Sequence, residues 1–288
     1  MKPNKLKLIS FTVAFFALAG APSLSPAQSL DLATGKSDQP IEITADNGIE
    51  WQRDNQVMIA TGNAKATRGT AHVEADTLRA YYQKSQTGGS NLSRLDAIGR
   101  VRISSPTQTL TGQSSVYDLD QAVLVVTGKK VTLISGKDRI TATQQMEYYE
   151  KTQMAVARQN ATANHDGKML RADTLVALFT KDKNGKSQVS RVQAFENVRV
   201  VTKTDSIWAS KGIYDVAAGI VTLNGNVRIT RDGNQLNGDN AIINLNTGIS
   251  KLLTDPGAKS PKPGQNDLNL REPRRKKRVR GLLVPKRK

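Results

Sequence analysis

Three features of this 288-residue sequence predict an all-β protein built from repeated strand units. Apolar residues alternate with a period of two rather than 3.6, one short pattern returns six times, and turn-forming dipeptides punctuate the segments. The pattern is apolar–polar–apolar, with a small residue eleven positions after the first apolar one. It occurs at Ala64-Lys65-Ala66 with Ala75, Val101-Arg102-Ile103 with Gly112, and Val131-Thr132-Leu133 with Ala142. It returns at Ala161-Thr162-Ala163 with Ala172, Val198-Arg199-Val200 with Ala209, and Val227-Arg228-Ile229 with Gly238. Alternation of this kind gives each strand one buried face. The core is expected from Val, Ile, Leu and Ala, since only 5% of residues are aromatic.

The units begin 37, 30, 30, 37 and 29 residues apart, and the two long intervals hold polar insertions at 83–91 and 181–188. The first three units map onto the last three at an offset of about 97, which reads as a duplication. Asn224-Gly225, Asp232-Gly233 and Asn246-Thr247-Gly248 are expected to be turns between strands. The stretch 144–153 has helical composition but lies where the repeat calls for a strand. Strands recurring in this way are expected to stack as an elongated, parallel-running pile, each rung touching its neighbours. The ends of such a pile expose unpaired backbone and invite another chain to add on.

Four segments follow from composition. Residues 1–27 read as a secretory signal: Lys2, Lys5 and Lys7 precede an apolar run from Leu8 to Ala21, and Ser25-Pro26-Ala27 suits cleavage after Ala27. An uncleaved anchor is the alternative. Residues 28–38 form a linker and 39–255 the β-domain. Residues 256–288 hold twelve Lys or Arg against two acids and read as a disordered basic tail. Much of the net charge of +17 therefore resides outside the folded part, and the sequence does not describe a specific nucleic-acid-binding domain.

The residues argue against catalysis. There is no cysteine, so thiol chemistry and disulfides are excluded. His72 and His165 have no neighbouring ligand set, and neither a metal site nor a cofactor motif is expected. Asp46, Asp76, Asp173 and Asp239 recur after a small residue, which predicts a local capping role. Trp51 and Trp208 are expected to be packing residues.

Pro40-Ile41-Glu42-Ile43-Thr44-Ala45-Asp46, then Ala60-Thr61-Gly62-Asn63-Ala64, Glu74-Ala75-Asp76-Thr77-Leu78 and Leu223-Asn224-Gly225-Asn226-Val227, resemble the OstA-like domain of the LptA group of periplasmic lipopolysaccharide-transport proteins. The resemblance covers roughly residues 39–250. It implies an open, V-shaped β-jelly roll that is periplasmic and not an enzyme. It also implies end-to-end assembly, with itself and with inner- and outer-membrane partners, into a bridge carrying lipopolysaccharide by its acyl chains. The inward-facing positions expected to line the groove are Ile41, Ile43, Val101, Ile103, Val131, Leu133, Val198, Val200, Val227 and Ile229. Burying an acyl chain yields about 0.8 kcal/mol per CH₂, so an apolar trough suffices without chemistry. The basic tail is a candidate for anionic lipid. The alternatives are an exported structural β-repeat protein and the membrane-anchored inner-membrane relative of the bridge.

Overall fold

The computed structural model describes residues 41–84, 90–183, 187–231, 233–247, 249–254 and 279–282. The expected signal segment, the linker and most of the basic tail lie outside these residues. Among the described residues every regular element longer than a turn is a strand. Two short strands, β1 (Glu42–Thr44) and β2 (Ile49–Gln52), precede four long ones: β3 (Val57–Arg68), β4 (Ala71–Lys84), β5 (Ser90–Ser104) and β6 (Gln108–Asp118). Four short strands follow: β7 (Val123–Thr127), β8 (Val131–Ser135), β9 (Asp138–Ala142) and β10 (Gln145–Tyr149). Then come β11 (Met154–His165), β12 (Lys168–Lys181), β13 (Ser187–Val201), β14 (Asp205–Asp215), β15 (Ile220–Arg231) and β16 (Asn234–Asn244). The last two are β17 (Ile249–Leu253) and β18 (Arg280–Leu282). The stretch 144–153 is strand where it is regular, as β10.

All these strands join one 18-stranded sheet, and consecutive long strands pair antiparallel. This corrects the parallel-running pile. The connections are short turns, whereas a parallel crossover needs about a dozen residues or more. The eleven-residue offset is the register of these hairpins. Ala64 faces Ala75, Val101 faces Gly112 and Val131 faces Ala142. Likewise Ala161 faces Ala172, Val198 faces Ala209 and Val227 faces Gly238. The duplication is equally literal: β3, β4, β5 and β6 begin 97 residues before β11, β12, β13 and β14.

Five long strands are interrupted by a bulge just before the repeated apolar residue. The bulged pairs are Gly62-Asn63, Gly99-Arg100, Gln159-Asn160, Glu196-Asn197 and Gly225-Asn226, and all ten residues have positive φ. Asn224-Gly225 is therefore no inter-strand turn, because two successive left-handed residues bend a strand without reversing it. The breaks between β7 and β8 and between β9 and β10 fall in the same column. The sheet folds along this column into two limbs, and their inner faces share one hydrophobic core. Asp46, Asp76 and Asp173 stand beside the bulges. They accept from Asn63 Nδ2 at 2.8 Å, Arg100 Nε at 2.7 Å and Asn197 Nδ2 at 2.7 Å. For these three, that is the local role expected of the recurring acids.

The basic tail differs from expectation in one place. Arg280–Leu282 forms β18, with Leu236 of β16 opposite Gly281. The outer half of β16 otherwise offers an unpaired backbone edge, and Val279-Arg280-Gly281-Leu282 is short and apolar enough to cover it.

Candidate functional site: an apolar interior between two limbs

The inner face of the first limb carries an unbroken cross-strand row. It runs Ile43–Ala66–Val73–Ile103–Leu110–Leu133 through the first copy. It continues Ile140–Ala163–Leu170–Val200–Ile207–Ile229–Leu236 through the second. Thirteen rungs at about 4.8 Å extend roughly 60 Å. The second limb answers with Ala60–Leu78–Ala97–Ser115–Val126–Met146 and then Ala157–Leu175–Ala194–Gly212–Leu223–Ala241–Leu252. Ser115 is the only polar side chain in the two rows. Period-two alternation in every strand, held in register by the hairpins, produces them.

The ten groove candidates fall into three places. Ile43, Ile103, Leu133, Val200 and Ile229 belong to the first-limb row. Val101, Val131, Val198 and Val227 lie two residues nearer the crease, each opposite a Gly or Ala and each at most 2% exposed. Ile41 is partly buried and lines a cavity near the N-terminal end. Of the ten, only Ile41 and Ile103 border that cavity; the others are in the core or packed against it.

The cavity lies between the limbs. Ile41, Ala66, Val73 and Ile103 come from the first, and Leu95, Tyr117, Leu124 and Tyr148 from the second. Its main polar feature is at Glu150, whose Oε1 accepts from the Tyr117 hydroxyl at 3.1 Å. Burial, reinforced by the Glu150 charge, pushes the Tyr117 and Tyr148 hydroxyls up from their ordinary pKa, so both phenols stay neutral. The lining is apolar apart from this end and Ser115. The second-limb residues were missed because only the alternation after each bulge was followed. The alternation before it, as in Leu95-Asp96-Ala97, carried the same signal.

Neither histidine joins a cluster. His72 Nδ1 is 3.2 Å from the Thr67 hydroxyl, and His165 Nδ1 is 2.6 Å from Asp138 Oδ1. Among the described residues no group of three or more His, Asp or Glu could hold a metal ion. The tryptophans pack outside the core, Trp51 edge-on to Tyr82 with ring centroids 6.2 Å apart and Trp208 between two guanidinium groups. Trp51 is 56% exposed on β2, and Trp208 is on the outer face between Arg199 and Arg228. Alternation explains this, because both residues follow an inward-facing position or occupy an edge strand.

The two ends of the sheet resemble each other in exposing apolar residues. Among the described residues, β1 and β2 pair only with β3, and β17 and β18 only with β16. Ile49 and Trp51 are exposed at one end; Ile249, Val279 and Leu282 at the other.

The family described as LptA/(LptD N-terminal domain) LPS transport protein matches this chain twice, over residues 42–154 and 143–249. The chain belongs to this family. The two matches reproduce the duplication visible in the strands, and the lipopolysaccharide-transport family accounts for a folded sheet with an apolar interior. An uncharacterized protein of Rhizobium meliloti (strain 1021), R00383, is 34% identical over 130 residues, 44% of this chain and 67% of that protein. The crystal structure of LptH, the LptA-homologous periplasmic component of the lipopolysaccharide transport device of Pseudomonas aeruginosa, matches at 12% identity. That match covers 86% of this chain and 96% of LptH, with a TM-score of 0.22, a superposition too loose to bear on this chain.

Proposed function

We propose that this member of the lipopolysaccharide-transport family is an exported periplasmic bridge subunit that shelters lipid acyl chains between its two limbs. The observation that carries this reading is the pair of facing apolar rows, which run the length of the sheet and border a small cavity at Ile41. Ile41, Ile43, Val101, Ile103, Val131, Leu133, Val198, Val200, Val227 and Ile229 supply the first-limb wall. Leu95, Tyr117, Leu124 and Tyr148 supply the facing wall around that cavity. The exposed apolar edges at β1–β2 and β17–β18 support end-to-end joining, with further copies or with family partners at either membrane. No nucleotide site is proposed; the energy for transport comes from elsewhere.

The test is photo-crosslinking of lipopolysaccharide to residues 28–288, which contain every strand described, with a crosslinker at Ile41 or at Arg102. These positions belong to opposite faces of the sheet. Capture at 41 and not at 102 is expected. Equal capture at both, or none at 41 in folded protein, would sink the interior-groove assignment.

A further inference from the structure

The outer face of the first limb carries a row of a different kind. Arg171 faces Arg199, Arg199 faces Trp208 and Trp208 faces Arg228. The row continues through Asn237 to Arg280 of β18. The guanidinium carbons of Arg199 and Arg228 lie 5.6 Å and 4.4 Å from the Trp208 ring centroid, clasping the indole from both sides. Arg171, Arg199, Arg228 and Arg280 are all exposed. Like charges directly opposite each other destabilise a sheet. Among the described residues no ion pair neutralises Arg171, Arg199 or Arg228.

The first copy shows what this row looks like without that tension. At the offset of 97, Glu74, Arg102 and Thr111 stand where the second copy has Arg171, Arg199 and Trp208. There Glu74 is 3.5 Å from Lys65 and 3.9 Å from Arg102, so an acid stands between the two cations and offsets part of their charge. The second copy has an arginine in place of the acid and an indole in place of the hydroxyl. Beside the row is a shallow concavity that also exposes Asn160, Asn197, Asn226 and Ser210. Its one carboxylate, Asp173, is occupied by Asn197 at 2.7 Å.

We propose that this Arg–Trp row is a docking surface for an anionic phospholipid bilayer, distinct from the apolar interior and independent of what that interior carries. Several arginines spread over about 25 Å, at roughly 5 Å per strand pair, exceed what one phosphate can engage. They match an array of headgroup phosphates, which guanidinium groups bind through paired hydrogen bonds. An indole among them suits the headgroup level, where tryptophan presents an apolar body and a polar N–H. The row lies along the stacking direction, so it would hold a free subunit lengthwise against a membrane, a state that alternates with end-to-end joining.

The test is vesicle co-sedimentation of residues 28–288 with phosphatidylcholine alone and with phosphatidylcholine and phosphatidylglycerol in equal parts, over a salt series. Binding only to the anionic vesicles, weakening with salt, is expected. Each arginine at the surface contributes about fivefold, so Arg199→Gln with Arg228→Gln should weaken binding by roughly 25-fold. Arg102→Gln, the matched position of the first copy, should change it little. Circular dichroism checks that all variants fold. A second variant with glutamine at 274–278 separates the row from the basic run. If the row variant binds like the parent while the 274–278 variant does not, the proposal is overturned. Equal binding to both vesicle types, or displacement by inorganic phosphate but not by chloride of equal ionic strength, overturns it too. Lipid capture at Ile41 is read separately, so failure of one assignment leaves the other standing.

Discussion

Replacing Gly112 by alanine tests the physical reason for the small residue that closes each repeat. Gly112 faces Val101 at the crease, and its φ is outside the left-handed region. In ordinary strand geometry Gly→Ala stabilises by about 0.4–1 kcal/mol, through the unfolded chain. Here an added Cβ would lie 2.5 Å from Val126 Cγ1 and 2.9 Å from the Thr127 carbonyl oxygen. Val126 is fully buried and the carbonyl is backbone, so neither yields readily. Overpacking of this kind costs about 1–3 kcal/mol, which reverses the sign of the substitution. For a domain of this size that is a fall in Tm of roughly 2–4 °C per kcal/mol. Gly212→Ala is the comparison: its Cβ would come no closer than 3.3 Å, to the end of Leu223, with Val198 at ordinary contact distance, so a change within about 1 kcal/mol is expected. Urea and thermal unfolding of residues 28–288 measure both. Adding Val126→Ala to Gly112→Ala should recover part of the loss, giving less than the sum of the single effects. Gly112→Ala as stable as the parent or more so would refute the crease argument.

Three other outcomes are expected. Arg231→Met should cost about 3–5 kcal/mol, because Asp205, 2% exposed, is left as a buried charge whose main partner is gone; adding Asp205→Asn should restore much of the loss in the same unfolding assay. Glu147 is buried, which by itself raises its pKa, but Arg158 at 3.1 Å, Tyr149 at 2.7 Å and Gln145 outweigh burial and hold it below the usual carboxylate range. Its contribution is therefore complete above its unfolded pKa of about 4.3 and is lost as pH falls through the lower folded value. Glu147→Gln should flatten the stability profile in that acidic window, and an unchanged slope there would contradict the assignment. Trp51→Lys or Ile249→Lys should shift light-scattering mass toward the monomer; Ile249→Lys should alter stability by no more than about 0.5 kcal/mol, and Trp51→Lys by about 0.5–1.5 kcal/mol through the lost edge contact with Tyr82. A mass unchanged at every concentration tested would remove these edges from the assembly.

Local chemistry made much of this protein legible in its sequence. Period-two alternation fixes which side chains can share a face, so Val101 and Ile103 were identifiable as inward and Arg102 as outward. Hairpin geometry ties positions eleven apart, so the six matched pairs were visible before their meaning was. The 97-residue duplication and the acids beside the bulges were equally local signals. Strand direction was not legible, because the offset of eleven reads equally as a repeat within a pile or as a register across a hairpin. The fold along the crease was hidden as well. Asn224-Gly225 reads as a turn, and only antiparallel pairing on both sides makes Gly225-Asn226 a bulge within one strand. The facing wall at Leu95, Tyr117 and Leu124 depends on that bend, since it brings together residues from either side of each bulge. The clasp of Trp208 between Arg199 and Arg228 depends on which strands are neighbours. One-dimensional sequence determines each residue's face through the pleat; tertiary structure decides what that face meets, because contacts across strands and between limbs join residues far apart in the chain.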